Sequence, residues 1–348
     1  KKTKNKNSEK KASARTLLII GPLILLVIAG AVLAVRSYAF IPHEGEATWI
    51  RIPGEASEAA VRDSITRKLP PAEGKRVVSL LAVLGLNPTV AHGAYRIEPG
   101  QTAWSTARKI SRGLQTPVKV TWNNVRTLDS MAEAISKKLE FDSGNFLLAC
   151  EKELGPEGFV PATLPAAFLP DSYEFYWGTS PAEVVRKLYA YRTRFWNQQR
   201  LDKAEALNLT PVEVATVASI VEEETSKADE RPVVARLYLN RIEKGMPLQA
   251  DPTVKFAIGD FSIRRITHEM LRTQSPYNTY INPGLPPGPI RIASKEAIDA
   301  VLDAPQHNYL YMCAKEDFSG YHNFAVDYSS HQANARRYQD ELNRRNIK

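Results

Sequence analysis

The sequence predicts an α+β protein that consists of a basic tail, one membrane helix, a small α+β domain and a larger, mostly helical α+β domain. Three observations lead there: an uncharged apolar run near the N-terminus, short strands and helices over residues 48–122, and apolar positions at helical spacing from residue 126 onward, the longest over 181–207. With 348 residues, 43% hydrophobic and 24% charged, the chain is neither disordered nor an all-membrane protein. The expected boundaries are a cytoplasmic tail at 1–15, a transmembrane helix at 16–36, a small domain at 37–122 and a larger domain at 123–348.

Positive charge is concentrated in the tail. The chain has 46 Lys and Arg against 38 Asp and Glu, a net charge of +8. Residues 1–15 hold seven basic residues and one acid, which leaves only +2 for the remainder. Beyond the tail there is no basic stripe with interleaved aromatic residues and no glycine-rich phosphate loop, so we expect no nucleic-acid partner.

The apolar run over residues 16–35 is predicted to contact the lipid bilayer. Twenty uncharged residues in a helix cover about 30 Å, the thickness of a bilayer core. A cleaved signal peptide and a buried soluble helix are the alternatives, although the following RSYAFIPHE does not resemble a cleavage site. Because Lys and Arg favour the cytoplasmic side, the N-terminus is expected in the cytoplasm and the rest of the chain outside it.

Cysteine and histidine spacing indicates no metal site. Cys150 and Cys313 could pair in an exported protein or remain free thiols, and the sequence leaves this open. The six histidines are scattered and form no zinc-binding pattern, so no cofactor is expected.

The small domain is predicted from alternating strand and helix patterns. Strands are expected at 48–53, 93–100 and 116–122, and helices at 56–69, 75–85 and 102–112. Ser57 is a plausible N-cap of the first helix.

The segment TPVEVATVASIVEEET, residues 210–225, is predicted to be a helix with a strong N-terminal signal. Thr210, a following proline and Glu213 form a capping-box pattern. At about 100° per residue, Thr216 and Ser219 share one arc with Glu223, and this arc is expected to face solvent.

Glu222 and Glu224 fall at the border of, or within, the apolar arc, where a carboxylate is costly. A partly desolvated carboxyl has a raised pKa and can act as a general acid. The alternative is an exposed helix end with all three acids solvated. The two side chains lie about 200° apart, so they cannot act on one bond as a pair. Glu224 is interpreted as an anchor, with Arg231 or Arg236 as its partner.

Two downstream segments carry groups suited to sugar recognition. A turn is expected at Gln249, Asp251 and Thr253, followed by the proline-rich segment SPYNTYINPGLPPGPI, residues 275–290. Its prolines stiffen a loop that bears tyrosine and amide groups, and such groups match the faces and hydroxyls of a pyranose. A purely structural proline-rich loop is the alternative.

These motifs together resemble the endolytic murein transglycosylase family, MltG (YceG-like). The resemblance is carried by ASIVEEET, NRIEKGMPLQADPTVKFAIG, SPYNTYINPGLPPGPI, HNFAVDYSSH and FLPDSYEFY, in which Leu169 stands where the family has Phe. His322-Asn323-Phe324-Ala325 departs from the family's His-Thr-Phe-Asn. The segment GAYRIEPGQTAWSTARKISRG resembles a LysM unit, which binds glycan, and a spacer domain is the alternative reading.

The resemblance implies a lytic transglycosylase (a carbon–oxygen lyase) that cleaves the β-1,4 bond from N-acetylmuramic acid to N-acetylglucosamine and leaves 1,6-anhydro ends. It places the general acid, and then base, on Glu222. It implies a saccharide groove lined by Glu224, Gln249, Asp251, Thr253, Tyr277, Asn278, Tyr280 and His322. The implied partners are peptidoglycan strands and cell-wall synthases, at a bacterial inner membrane with the catalytic domain on the cell-wall side. A non-catalytic peptidoglycan-binding scaffold and a hydrolytic muramidase are the competing functions.

Overall fold

The structure, a computed structural model, describes residues 2–123, 125–263 and 265–345, with side chains from residue 20 onward. The chain divides into two compact units. The N-terminal unit comprises residues up to 118 together with Tyr176–Gly178, and the C-terminal unit comprises Lys119–Phe175 and Thr179–Lys348. The fold is helix-rich α+β, as predicted.

The chain begins with a long apolar helix, α1, over Lys2–Ala39. Its segment Ile20–Ala39 has a mean hydropathy of 2.2, and within it only Ala39 is buried. Pro22 lies inside the helix, and membrane-spanning helices tolerate proline at such positions. The length and composition are those of a single-pass membrane anchor.

The N-terminal unit surrounds one apolar core with a two-stranded sheet and short helices. Its elements after α1 are β1 Thr48–Ile52, α2 Glu58–Thr66, α3 Pro71–Leu84, α4 Pro88–Ala91, β2 Gly93–Ile97 and α5 Ala103–Ser111. β1 and β2 are antiparallel, with Thr48 opposite Ile97. Ser57 caps α2 as predicted, because its hydroxyl accepts a hydrogen bond from the amide of Ala60. The inward side chains of β1 and β2, among them Ile50 and Tyr95, are fully buried.

The C-terminal unit consists mostly of helices around two apolar clusters. Its elements are β3 Val118–Trp122, α6 Leu128–Ser136, α7 Ser143–Leu154, β4 Asp171–Phe175, α8 Pro181–Phe195, α9 Gln198–Ala206, α10 Pro211–Glu224, α11 Arg231–Glu243, α12 Asp251–Ile258, α13 Lys295–Leu302, β5 Tyr311–Ala314, β6 His322–Ala325 and α14 Tyr328–Arg344, with short 3-10 turns at Gly155–Glu157, Leu164–Ala167 and Met270–Arg272. β3 pairs with β4, and β5 is antiparallel to β6.

Two boundaries in this unit differ from the sequence pattern. The helical pattern over 181–207 is interrupted, because the side chain of Asn197 caps a new helix, α9, by accepting from the amide of Arg200. The turn expected at Asp251 is instead the first turn of α12, where Pro252 fits because an N–H at this position needs no partner.

Helix α10 is buried on every side from Val214 to Val221. The solvent face predicted for Thr216 and Ser219 is wrong, since their exposures are 2% and 0%. Thr216 donates its hydroxyl proton to the carbonyl of Val212, and Ser219 donates to the carbonyl of Thr216 while accepting from the amide of Ile290. Small polar residues whose hydrogen bonds are satisfied within the protein can be buried at little cost. The polar arc of this helix therefore does not identify a face exposed to solvent.

Candidate active site

The site is organised by the C-terminal end of α10. The helix starts with the predicted capping box: the Thr210 hydroxyl accepts from the amide of Glu213, and the Glu213 carboxylate accepts from the amide of Thr210. At the other end three consecutive glutamates leave the helix in different directions. Glu222 and Glu224 line separate cavities, in agreement with their predicted separation on the helix.

The Glu224 cavity is a polar depression of about 210 Å³. Its lining residues are Glu224, Leu237, Tyr238, Arg241, Leu248, Gln249, Asp251, Tyr280, Met312, Cys313, Ala314 and His322. They come from α10, α11, the segment that leads into the first residue of α12, the proline-rich loop and the β5–β6 hairpin, so the fold gathers one polar cluster from five parts of the chain.

The Glu224 carboxyl is partly buried in the cavity wall and has an unusual acidity. Its pKa is raised from 4.5 to about 7, chiefly by burial, and the negative charge of Asp251 acts in the same direction. Tyr238 opposes this by donating its hydroxyl proton to Glu224 Oε1 at 2.7 Å. A carboxyl with this pKa holds a proton in a substantial fraction of molecules at neutral pH, which is the property that a general acid requires.

The rim of the Glu224 cavity carries hydrogen-bonding groups. Tyr280 donates its hydroxyl proton to Asp251 Oδ1 at 2.7 Å, and Asp251 is exposed. Gln249 is exposed and has a φ of 50°, a left-handed conformation that a non-glycine residue adopts at a cost. The amide of Gln249 donates to the carbonyl of Thr279, which holds this backbone in place.

Arg241 forms a buried support beneath the cavity. Its guanidinium donates to the backbone carbonyls of Leu310, Pro247 and Leu248, at 2.6, 3.1 and 2.8 Å. These bonds connect α11 to the segment before α12 and to the strand that follows Leu310. Arg241 therefore fixes backbone that carries the cavity wall.

His322 enters the cavity at the start of β6 and is oriented by Glu230. Glu230 is 5% exposed, and its carboxylate accepts from the backbone amide of His322 at 2.7 Å and contacts His322 Nδ1 at 2.9 Å. Thr225 also donates to Glu230. Since a carboxylate only accepts, Nδ1 carries a proton and Nε2 is the ring nitrogen available to the cavity.

Sequence reasoning missed three of these residues: Tyr238, Arg241 and Glu230. Tyr238 and Arg241 lie three residues apart on α11, so they share a helix face, and this spacing could have suggested that both reach one site. Nothing in the local pattern of Glu230 indicates that it pairs with a histidine 92 residues away.

Three residues predicted for the groove do not line the cavity. Thr253 has no exposed surface, and its hydroxyl bonds to Ala250 and Thr279. Asn278 is also fully buried, and it donates to the backbone carbonyls of Leu271 and Thr273, which precede the proline-rich loop. Tyr277 packs on Phe256, with ring centroids 4.7 Å apart. These side chains shape the loops that carry Gln249 and Tyr280.

The Glu222 cavity is a separate space of about 680 Å³. Here Glu222 Oε2 accepts from the amide of Ser294 at 2.9 Å and lies 3.4 Å from Arg291 Nε. Glu223 forms ion pairs with Arg291 and Arg126. Each of these two carboxylates therefore has a cationic partner.

The expected partners of Glu224 lie elsewhere. Arg236 donates to Asn240 and pairs with Glu243, while Arg231 lines the Glu222 cavity. The residue that contacts Glu224 is Tyr238.

The two cysteines do not pair: both are free thiols, Cys150 in the apolar core and Cys313 at the wall of the Glu224 cavity. Within the part of the chain that the structure describes, no group of three or more His, Cys, Asp or Glu is arranged to hold a metal ion.

Comparison with known proteins identifies relatives of this chain. A family model described as the YceG-like family matches residues 50–337. The chain is 33% identical over 154 residues to an endolytic murein transglycosylase of Bacillus subtilis (strain 168), covering 44% of this chain and 42% of that protein. It is 35% identical over 111 residues to the protein of the same name from Streptococcus pneumoniae serotype 2 (strain D39 / NCTC 7466), covering 31% of this chain and 20% of that protein. The matched regions thus span less than half of each relative.

A solved structure shares the fold. The crystal structure of a putative YceG-like protein from Listeria monocytogenes aligns with a TM-score of 0.55 and 22% identity, covering 83% of this chain and 98% of that one. The family model covers most of the chain and includes every residue of the Glu224 cavity. The chain belongs to the YceG-like family.

Proposed function

We propose that this protein is a membrane-anchored endolytic murein transglycosylase. Two relatives bear that name, the N-terminal apolar helix suits a single-pass anchor, and the Glu224 cavity holds one carboxyl suited to proton transfer. The substrate is the peptidoglycan glycan strand, cut at the β-1,4 bond between N-acetylmuramic acid and N-acetylglucosamine.

The observation that carries the proposal is the desolvated carboxyl of Glu224, with a pKa raised to about 7 in a polar cavity. The family resemblance assigned the acid to Glu222, and that assignment stays a prediction. The geometry favours Glu224, because Glu222 is engaged with Arg291 and the amide of Ser294 in a different cavity. We therefore assign the general acid to Glu224.

One carboxyl suffices for the reaction. Protonated Glu224 donates its proton to the glycosidic oxygen as the C1–O bond breaks and the N-acetylglucosamine hydroxyl leaves. The Glu224 carboxylate then removes the proton from the muramyl 6-hydroxyl, whose oxygen bonds to the anomeric carbon and closes the 1,6-anhydro ring. The proton returns to Glu224 and no water is consumed. A second catalytic carboxylate, as in a hydrolytic glycosidase, is not needed.

The remaining cavity residues bind and orient the sugar at the scissile bond. Tyr280, Asp251 and Gln249 offer hydroxyl, carboxylate and amide groups, and His322 presents Nε2. The cavity volume is below the roughly 300 Å³ of the smallest typical ligand pockets. The cavity therefore holds only the groups around one glycosidic bond, and the rest of the glycan strand lies across open surface. That arrangement is compatible with a cut within a strand.

The N-terminal unit holds the catalytic unit on the cell-wall side of the membrane. The basic tail orients the span with its N-terminus in the cytoplasm. The LysM-like segment, residues 93–113, adds a glycan-binding or spacing function, and the family resemblance implies work beside cell-wall synthases. Co-sedimentation of the inactive full chain with insoluble peptidoglycan separates binding from spacing.

The test is a digestion of peptidoglycan by the full chain in detergent, with Glu224→Gln and Glu222→Gln as matched variants. We expect anhydro-muramyl ends, each one water lighter than a hydrolysed end, abolished by Glu224→Gln and retained by Glu222→Gln. Reducing ends alone would indicate a muramidase. Binding without any cleavage would indicate a scaffold. Full activity of Glu224→Gln with loss in Glu222→Gln would return the acid to Glu222.

A further inference from the structure

The N-terminal unit has an exposed apolar surface beside the end of its membrane helix. The surface lines a cavity of about 700 Å³ between α1, α3 and α5. We call it the interfacial patch and define it by Tyr38 at the end of α1, Phe40 just after it, Leu80 and Val83 of α3, and Trp104 of α5.

Three of these side chains are strongly exposed, and Leu80 and Trp104 are half-buried. Val83 is 80% exposed, Phe40 50% and Tyr38 45%. The Phe40 and Trp104 rings contact one another, with centroids 6.5 Å apart, and all five side chains line one cavity, so the patch is contiguous. Single exposed apolar residues are ordinary, whereas a contiguous apolar patch marks an interaction surface.

The position of the interfacial patch identifies what covers it. The same cavity is lined by Ala34, Val35 and Ala39, which belong to the last turns of the apolar segment Ile20–Ala39. The patch is therefore continuous with the surface that faces lipid. Tyr and Trp are enriched where a membrane span meets the headgroups, because their rings are apolar and their polar atoms reach water.

Basic residues flank the interfacial patch on both helices. Lys75 lies one turn before Ser79, which lines the same cavity, and Arg108 lies one turn after Trp104. Both are exposed. Cations at the edge of an apolar surface are attracted to anionic headgroups. The apolar and charged groups of this face thus match the two layers of a membrane interface.

We propose that the interfacial patch inserts into the headgroup region of the bilayer, so that the N-terminal unit lies on the membrane surface instead of standing free on its helix. This rests on the proposed membrane anchor. The occupant is the lipid surface, and a second copy of the chain or another protein is the competing occupant.

The experiment uses the full chain in nanodiscs made with either ordinary or acyl-brominated anionic lipids, since bromine quenches tryptophan on contact. The chain has five tryptophans, and Trp104→Phe isolates the contribution of one. We expect brominated lipid to remove the emission that Trp104 contributes, and Trp104→Phe to lose this quenching. Val83→Asp should restore Trp104 emission, because a carboxylate resists entry into the interface. Leu148→Asp, at a residue 67% exposed in the C-terminal unit, is the matched control and should leave the quenching unchanged.

The outcomes separate this inference from the anchor. If the full chain fails to co-purify with nanodiscs, the anchor and the inference are both overturned. If it co-purifies and Trp104 emission is equal in the two lipids, the inference alone is overturned. Dimer formation that depends on Val83 without lipid quenching would assign the interfacial patch to a second copy.

Discussion

Replacing Tyr238 by Phe tests whether the acidity of Glu224 controls catalysis. The Tyr238 hydroxyl stabilises the ionised form of Glu224 through a 2.7 Å hydrogen bond, and so holds the pKa of Glu224, which burial raises, down to its value of about 7. Hydrogen bonds to charged groups are worth about 1.5–3 kcal/mol, and one pKa unit corresponds to about 1.4 kcal/mol. The pKa of Glu224 should therefore rise by about one to two units in Tyr238→Phe.

The sign of the effect on rate follows from the role of the acid. Glu224 must be protonated to start the reaction, so activity is high below its pKa and falls as pH rises through it. In Tyr238→Phe the alkaline limb of the kcat/KM profile should move to higher pH by about one to two units. At pH 7 the protonated fraction should increase from about half to about nine-tenths or more.

The assay is the release of anhydro-muropeptides measured across pH 5 to 10, a range chosen to bracket a pKa near 7. Tyr189→Phe is the matched control, because Tyr189 also donates its hydroxyl proton to a carboxylate, that of Glu157, in an exposed position. Its profile should be that of the unsubstituted chain. An alkaline limb that stays in place, or moves to lower pH, in Tyr238→Phe would refute the assignment of Glu224 as the acid.

Three further outcomes are expected. Glu224→Gln should stabilise the protein more at high pH than at low pH. The pKa of Glu224 is about 7 in the folded protein against an ordinary value of 4.5, so its carboxyl lowers the free energy of unfolding as the pH rises from 4.5 to 7. In urea unfolding, the advantage of the variant over the unsubstituted chain should therefore be larger at pH 8 than at pH 4 by up to about 3 kcal/mol. Ser219→Ala should lower the free energy of unfolding by about 1–3 kcal/mol by leaving the amide of Ile290 without its acceptor, and an unchanged urea midpoint would contradict the buried role. Glu230→Gln should reduce kcat about tenfold by loosening His322 while leaving the alkaline limb in place, and a moved limb would instead connect Glu230 to the acid.

Local signals in the sequence were sufficient for several elements. The capping box at Thr210 predicted where α10 begins, and Ser57 predicted where α2 begins, because a side chain that satisfies the first free amides of a helix acts within three residues. The alternating pattern of residues 48–53 likewise predicted β1, whose alternate side chains Ile50 and Ile52 are buried.

The faces of α10 could not be predicted in this way. A helical wheel assigns one face to solvent, but α10 contacts two apolar clusters: Ala215 belongs to one, and Val214 and Val217 to the other. The remaining face meets Ile290, which is 71 residues from Ser219. Burial of the polar residues on that face depends on contacts between parts of the chain that are distant in sequence, and a local window does not contain them.

The three consecutive glutamates show why the acid itself required the fold. Carboxylates at a helix C-terminus meet the negative end of the helix dipole, so all three raise the energy of the folded state when ionised. Glu222 and Glu223 are compensated by Arg291 and Arg126, which come from segments far along the chain. Among the described residues Glu224 forms no ion pair with Lys or Arg, and its closest polar partner is the neutral hydroxyl of Tyr238. Because two of the charges are neutralised and the third is not, protonation of Glu224 relieves the electrostatic cost that remains. Of the three consecutive glutamates, one is therefore left to hold a proton. The positions of the arginines decide which one it is, and no local sequence motif contains those positions.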